Sequence, residues 1–299
     1  MSEPMQPEKG NMQPGAPNAA FSRKPPWLRK KIGLSSTNAL KSELREKNLH
    51  TVCESARCPN IGECFSRKTA TFMVLGDTCS RTCTFCAVGK GKANAPDPAE
   101  PLNVARMARR MGLTHVVITS VTRDDLSDGG ARHYAETVRA VRAECPGAAV
   151  ELLIPDFNGD AAALGAVLAE RPDILNHNVE TVPSLYHLVR PQADFGQSLE
   201  LLRRAADCGI ITKSGIMAGL GETEGELVFA MEKLKAAWIR ILTLGQYLAP
   251  SRRHAPVARY YEEEWFGRMA EIARHIGIER VFSGPFVRSS YMAEKVGAL

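Results

Sequence analysis

Six short apolar runs, rich in β-branched residues, recur along the chain at 71–75, 115–119, 150–154, 174–178, 211–217 and 239–244. The segments between them carry apolar residues at helical spacing and predict helices over 102–111, 132–144, 161–169, 199–208 and 224–236. Strands alternating with helices predict parallel βαβ units, and six of them fit a partial or full (β/α) barrel. A doubly wound open sheet would show the same alternation, so period alone leaves both architectures open. In either one the site lies at the carboxyl ends of the strands. A short helix is also expected from a Ser36-Thr37-Asn38 cap through Glu46 and Lys47, with Leu40 and Leu44 on one face. Another is expected over 262–276, burying Trp265, Phe266, Met269, Ile272 and Ile276.

Several strand ends are polar where a barrel mouth would be. Residues 119–125 read Thr-Ser-Val-Thr-Arg-Asp-Asp, 176–181 read Asn-His-Asn-Val-Glu-Thr, and Lys213-Ser214-Gly215 sits in the fifth run. Glycines at 219 and 221 would let backbone approach a ligand, and helix N-termini offer N–H donors to a carboxylate. Asp128 and Thr223 read equally well as turn and capping residues. His177 lies between two asparagines, and three polar groups at one strand end are costly unless paired. His115 at a strand start reads as structural, and Cys145 and Cys208 as small buried hydrophobes.

With 299 residues, 44% apolar and 24% charged, the chain can bury a core without staples. Its eight cysteines therefore need not form a disulfide framework, and six of them fall within 53–86. The segment MSEPMQPEKG has no apolar signal core, and no apolar run approaches the roughly 18 residues of a membrane span. The expectation is a soluble cytoplasmic protein whose clustered thiols bind metal in a reducing compartment. Six prolines within 1–26 predict a mobile leader. A net charge of +5 suits an acidic partner without naming one, and Arg29-Lys30-Lys31 and Arg252-Arg253-His254 also read as ordinary solvated clusters.

Cys79, Cys83 and Cys86 stand in a C-x3-C-x2-C spacing just after the first strand. Such a loop can aim three thiolates at one cubane iron–sulfur cluster and leave its fourth iron without a protein ligand. A closed structural zinc site wants four ligands, but a catalytic zinc with three ligands and a water remains open. Cys53, Cys58 and Cys64, spaced C-x4-C-x5-C, present a second triad. Three thiolates without a fourth again favour a cluster.

The C-x3-C-x2-C loop with Phe85 before its last cysteine resembles the radical S-adenosylmethionine enzymes. From Arg23 onward the chain is similar to the lipoyl synthase family. The similarity rests on 23–29, on Cys-Pro-Asn-Ile-Gly-Glu-Cys at 58–64, on 69–73, 176–181 and 213–217, and on Arg-Ser-Ser-Tyr at 288–291. It implies a partial (β/α)6 TIM-type barrel with N-terminal and C-terminal extensions, divided as 1–26, 27–68, 69–245 and 246–299. Cys79, Cys83 and Cys86 would hold a 4Fe–4S cluster that chelates S-adenosylmethionine and, once reduced, yields a 5′-deoxyadenosyl radical. Cys53, Cys58, Cys64 and Ser290 would hold an auxiliary 4Fe–4S cluster that donates sulfide. Two radicals in turn would abstract hydrogen from carbons 6 and 8 of a protein-bound octanoyl chain. Thr119, Asn178, Glu180 and Lys213 are the expected cofactor contacts, and Arg288 with 252–254 would guide the carrier.

The implied partners are octanoylated lipoyl carrier domains of 2-oxoacid dehydrogenase complexes and the glycine cleavage H protein. A low-potential electron donor and a cluster-assembly carrier complete them; neither membrane nor nucleic acid is expected. Lys68, where a glycine is common, and Tyr261-Glu262, in place of a proline turn, depart from the pattern without touching a ligand. A methylthiotransferase-like enzyme would need a basic RNA-binding module, and none is visible after the barrel. An electron-transfer protein would need four cysteines per cluster. A zinc protein would be colourless.

Overall fold

The computed structural model describes residues 24–28, 38–56, 58, 60, 61, 63 and 71–290. Strand β1 (His50–Thr51) runs antiparallel to β2 (Thr71–Val74), and β3 (Thr78–Cys79) pairs with β4 (Gly89–Lys90) in a separate parallel ladder. The main sheet continues through β5 (His115–Ser120), β6 (Ala149–Leu153), β7 (Ile174–Asn176), β8 (Ile211–Ala218), β9 (Ile241–Gln246) and β10 (Arg280–Gly284), all parallel to β2. Helices α1 (Asn38–Glu46) and α2 (Val52–Ser55) precede β2. The helices that follow are α3 (Glu100–Met111), α4 (Ala131–Glu144), α5 (Ala161–Ala169), α6 (Tyr186–Val189), α7 (Phe195–Asp207), α8 (Glu224–Ala236) and α9 (Glu263–His275).

The order of the strands in the sheet decides between the two architectures. They lie side by side in chain order, β2-β5-β6-β7-β8-β9-β10. A doubly wound sheet reverses its order at a switch point. Winding in one direction, with right-handed crossovers, puts every crossover helix on the same face and lets the sheet curl into a partial barrel. Apolar stripes on α3, α4 and α8, among them Val104, Met107, Val138, Leu227 and Leu234, are buried in the core that joins helices to sheet. Complete burial of each such side chain contributes about 1.5–3 kcal/mol.

Local chemistry sets the helix boundaries. Asp160 and Asp194 accept backbone N–H groups at the starts of α5 and α7, and Thr223 with Glu226 makes a reciprocal capping box on α8. Asp128 accepts from the backbone N–H groups of Gly130 and Arg132, so it and Thr223 are both capping residues. α3 stops at Gly112, whose left-handed conformation (φ 65°) closes its last turn.

The described fold differs from the expectation in its strand number. Seven parallel strands form where six units were read, because β10, supplied by the C-terminal extension, joins the edge of β9. All five of its residues are only half-buried, and the run Arg-Val-Phe-Ser-Gly lacks the apolar density that marks the interior strands. Leu75 leaves β2 with φ 67°, turning the chain into the cysteine loop. Of the proline-rich leader, residues 1–23 lie outside the described residues; Pro26–Leu28 forms one 3-10 turn with Leu28 buried. Among the described residues no helix is long and apolar enough to cross a membrane.

Candidate active site

The carboxyl ends of the strands surround a cavity of about 510 Å³. Cys79, Cys83 and Cys86 line it from the loop after β2, and Cys53 and Cys58 reach it from the N-terminal extension. Ser290 reaches the same cavity from the far end of the chain. Cys64 lies outside the described residues. Asn60 Nδ2 donates to Phe286 O (2.8 Å), so the segment after Cys58 is fastened to the turn that carries Ser290.

The cysteine loop is bonded along its whole length. Ser80 N donates to Thr122 O (3.0 Å), Thr84 N to Val189 O (3.0 Å), Cys86 N to Cys83 O (3.4 Å) and Gly91 N to Cys79 O (3.1 Å). Lys90 Nζ donates to Cys83 O (2.9 Å), and Gln192 Oε1 accepts from Thr82 N (2.9 Å). The backbone N–H groups of Arg81 and Thr122 both point at Cys79 Sγ (3.4 Å each). Such donors tune the potential of a thiolate-held cluster. Arg81 turns inward and pairs with Asp124 (2.8 Å) and Asp156 (2.6 Å).

Burial raises the pKa of the Cys83 thiol, outweighing the help of Arg190. Burial also drives the pKa of Cys86 up to about 11, and the neighbouring Cys83 and Cys79 add to the shift. Without metal these two sulfurs are thiols at neutral pH, and binding must displace their protons. Among the described residues no group of three His, Cys, Asp or Glu converges tightly enough to hold a single metal ion. Cys79, Cys83 and Cys86 do all line one cavity, as three thiolates on a single cluster require.

After β7, Asn178 and Glu180 also line the cavity. Asn178 Nδ2 donates to Glu180 Oε1 (3.0 Å) and Ser289 Oγ (2.5 Å), while its Oδ1 is buried with no hydrogen-bond partner among the described residues. An acceptor stranded this way costs roughly 1–3 kcal/mol unless a ligand donor meets it. Glu180 adopts a left-handed backbone (φ 64°), held against β8 by Glu180 N donating to Gly215 O (2.9 Å) and Met217 N to Glu180 O (2.8 Å). Strain of this kind gathers at binding sites. Burial raises the carboxyl pKa of Glu180, against the pull of Arg190 and the Asn178 amide. Gly215 must lack a side chain, since a Cβ would lie 2.7 Å from both Asn178 Oδ1 and Thr243 Oγ1. Thr119 also lines the cavity and donates to Leu153 O (2.9 Å).

Lys213 departs from the expectation of a cofactor contact. Its ammonium donates to Glu151 Oε1 (2.8 Å) inside the barrel, away from the residues that line the cavity. His115 Nε2 reaches the other carboxylate oxygen (3.1 Å), and Asn176 Nδ2 also donates to Oε1 (3.2 Å). Burial opposes ionisation of Glu151, but Lys213 and His115 overcome it and hold its pKa below the usual carboxylate range. His115 is thus structural, as read. The His177 ring lines the cavity; its Nδ1 donates to Ile154 O (2.9 Å), and its Nε2 lies 3.0 Å from Ser198 Oγ, whose hydroxyl donates to Asp194 O (2.9 Å). Cys145 is buried as expected; Cys208 is exposed, because it caps α7 at the surface.

Arg81, Asp156, Arg190 and Ser289 belong to the site and were missed in the sequence. Arg190 Nη1 donates to Asn178 O (2.9 Å) and Val179 O (3.0 Å), supporting the strand end beneath Asn178. An acidic residue just past each of two strands, with an arginine between cysteines, was the available signal.

A singly wound parallel barrel with three cysteines in the loop after its first strand defines a radical S-adenosylmethionine enzyme, and the radical SAM superfamily model matches residues 73–234. Two solved structures share the fold. Methylornithine synthase is 14% identical with a TM-score of 0.52, covering 70% of this chain and 69% of that one. Streptococcus suis SuiB bound to its precursor peptide SuiA is 11% identical with a TM-score of 0.55, covering 87% of this chain and 55% of that one. Within the superfamily the chain belongs to the lipoyl synthases. The model described as the N-terminal domain of lipoyl synthase matches residues 3–58. Lipoyl synthase of Oleidesulfovibrio alaskensis is 55% identical over 277 residues, spanning 92% of this chain and 95% of that protein. The Caldanaerobacter subterraneus lipoyl synthase is 51% identical over 274 residues, spanning 91% and 96%. Membership implies a 4Fe–4S cluster and S-adenosylmethionine as cofactors.

Proposed function

We propose that this enzyme inserts two sulfur atoms, at carbons 6 and 8, into an octanoyl chain borne on a lysine of a lipoyl carrier domain. Cys79, Cys83 and Cys86 would hold one 4Fe–4S cluster, and Cys53, Cys58, Cys64 and Ser290 a second. The observation that carries this reading is the meeting of five cysteines, from both triads, with Ser290 around one cavity. When bound, the reduced first cluster and S-adenosylmethionine supply a radical that removes hydrogen from the octanoyl chain, and the second cluster supplies the sulfur.

The chain's own residues bind and orient. Asn178 Oδ1 offers its stranded acceptor to the amino or hydroxyl donors of S-adenosylmethionine, and Glu180 and Thr119 complete that wall. Gly215 gives the cofactor room against β8. Apolar wall residues such as Val121, Ile216 and Leu248 keep water from a reactive intermediate. An oxygen from Ser290 is a weaker iron ligand than a thiolate, which suits a cluster that is dismantled to release sulfide. Octanoylated domains of 2-oxoacid dehydrogenase complexes and the glycine cleavage H protein would be the carriers. A low-potential electron donor and a cluster-assembly carrier would serve the enzyme in the cytoplasm.

The test is mass spectrometry of reduced, reconstituted enzyme with S-adenosylmethionine and an octanoyl-lysyl peptide. 5′-Deoxyadenosine with a dithiolated peptide supports the reading. Deoxyadenosine without sulfur insertion keeps the radical chemistry and sinks the proposed product. Ser290→Ala should alter the spectrum of the second cluster or slow sulfur transfer; if neither changes, Ser290 is not its ligand.

A further inference from the structure

The cysteine loop carries three of the sulfurs that line the cavity, yet little regular structure supports it. Among the described residues only the two-residue ladder of β3 with β4 flanks it. At its centre, between the first two cysteines, Arg81 is 5% exposed. Its Nε and Nη2 meet the two oxygens of Asp124 (2.8 and 3.0 Å), and its Nη1 and Nη2 meet the two oxygens of Asp156 (2.7 and 2.6 Å). Nη2 also reaches Asn158 Oδ1 (2.6 Å). Asp124 follows β5 and Asp156 follows β6, so one side chain ties the first loop of the barrel to the next two.

We infer that Arg81 is a positioning residue, which fixes the shape of the cysteine loop before any cluster enters it. Two bidentate, charge-assisted forks define direction as well as distance. A lysine would keep the charge and lose both forks. The carboxylates are themselves prepared: Ser80 Oγ accepts from Asp124 N (3.1 Å) and Asp156 Oδ1 accepts from Asn158 N (3.0 Å). Asp156 is thus braced within its own loop after β6, and Asp124 after β5 is braced against Ser80 of the cysteine loop itself. Loop residues that are preorganised need not be ordered again when the ligand binds, which strengthens binding without a new contact.

The relevance to a cluster rests on the reading of Cys79, Cys83 and Cys86 as ligands, so the first measurement is made on the metal-free full-length chain. Hydrogen–deuterium exchange of peptides covering 78–90 should be protected in the wild type and about tenfold faster in Arg81→Lys and Arg81→Ala, with the rest of the barrel unchanged. The second measurement uses a Cys53→Ala/Cys58→Ala/Cys64→Ala background, so that one cluster is observed. There Arg81→Lys should lose iron to a ferrous chelator about tenfold faster than Arg81. The change that S-adenosylmethionine induces in its electron paramagnetic resonance spectrum should broaden.

Should Arg81→Ala fail to fold, with two buried carboxylates left unpaired, Arg81→Lys and Asn158→Ala carry the same comparison. Exchange in Arg81→Lys equal to wild type would overturn the proposal, because charge without forks would then suffice. If the wild type takes up no cluster, the ligand reading fails, and the exchange experiment still decides whether Arg81 shapes the loop.

Discussion

Asn178 and Ser289, 111 residues apart, meet through a 2.5 Å hydrogen bond in which the Asn178 amide donates to the serine hydroxyl. The contact seats the C-terminal turn on the end of β7. With the Asn60–Phe286 bond it makes one wall from both extensions and the barrel. Ser290, read as a ligand of the second cluster, thus sits on a turn fastened to the N-terminal segment through Asn60 and to the end of β7 through Asn178.

That turn needs Gly245. A Cβ there would collide with the carbonyl of Val287 and lie 3.1 Å from Arg288 Nη1. We expect Gly245→Ala to lift the 285–290 turn from β9 and to destabilise the chain by about 1–3 kcal/mol. Chemical denaturation measures the loss. The iron content of the reconstituted protein should fall toward one cluster, and two full clusters at unchanged stability would contradict the packing argument.

Cys86 gives a signature in pH. Its pKa of about 11 in the metal-free chain lies above the ordinary thiol value, so thiolate appears only as pH rises through that range. Alkylation near pH 8 should be about a hundredfold slower than for a free cysteine, and its rate should keep climbing past pH 10. Rate–pH profiles read by peptide mass spectrometry check this. A midpoint near 8.5 would contradict the burial that raises it.

The ion pair beneath the cavity predicts a stability effect. Lys213 and Glu151 are both shielded from solvent, and the carboxylate relies on the ammonium. Lys213→Met should destabilise the fold by about 3–5 kcal/mol, because it leaves a buried charge with only His115 and Asn176. Lys213→Met with Glu151→Gln should recover part of the loss. Urea unfolding of the three proteins measures the difference, and equal midpoints for Lys213→Met and wild type would refute it.

His177 sets an acid limit. Burial, with Arg190 nearby, depresses its pKa from 6.5 to about 4. Between those values the unfolded chain holds a proton that the folded chain does not, so stability present above pH 6.5 is lost as pH falls through 4. The full effect is about 3 kcal/mol. Denaturation of the metal-free chain across that window should show the slope, and His177→Gln should flatten it.

The hydrophobic period placed the interior strands and the helices close to their observed ends, because burial of one face repeats within a single segment. The cysteine spacing was equally local: a loop of eight residues can present three thiols whatever surrounds it. The polar strand ends at 119–125 and 176–181 were also legible, since polar residues at the ends of buried strands call for partners. Which partner each one takes was not. Lys213 on β8 meets Glu151 on β6 across the one intervening strand β7, and Arg81 meets carboxylates 43 and 75 residues away. Period cannot rank such pairings, because they depend on which strands lie side by side. Tertiary structure alone decided the single direction of winding, the recruitment of β10 from the C-terminal extension and the meeting of Asn178 with Ser289. The cysteine pattern is encoded within short stretches, but the shape of the cavity it serves depends on sheet order and on contacts such as Asn60 with Phe286 and Asn178 with Ser289, which close only in the folded chain.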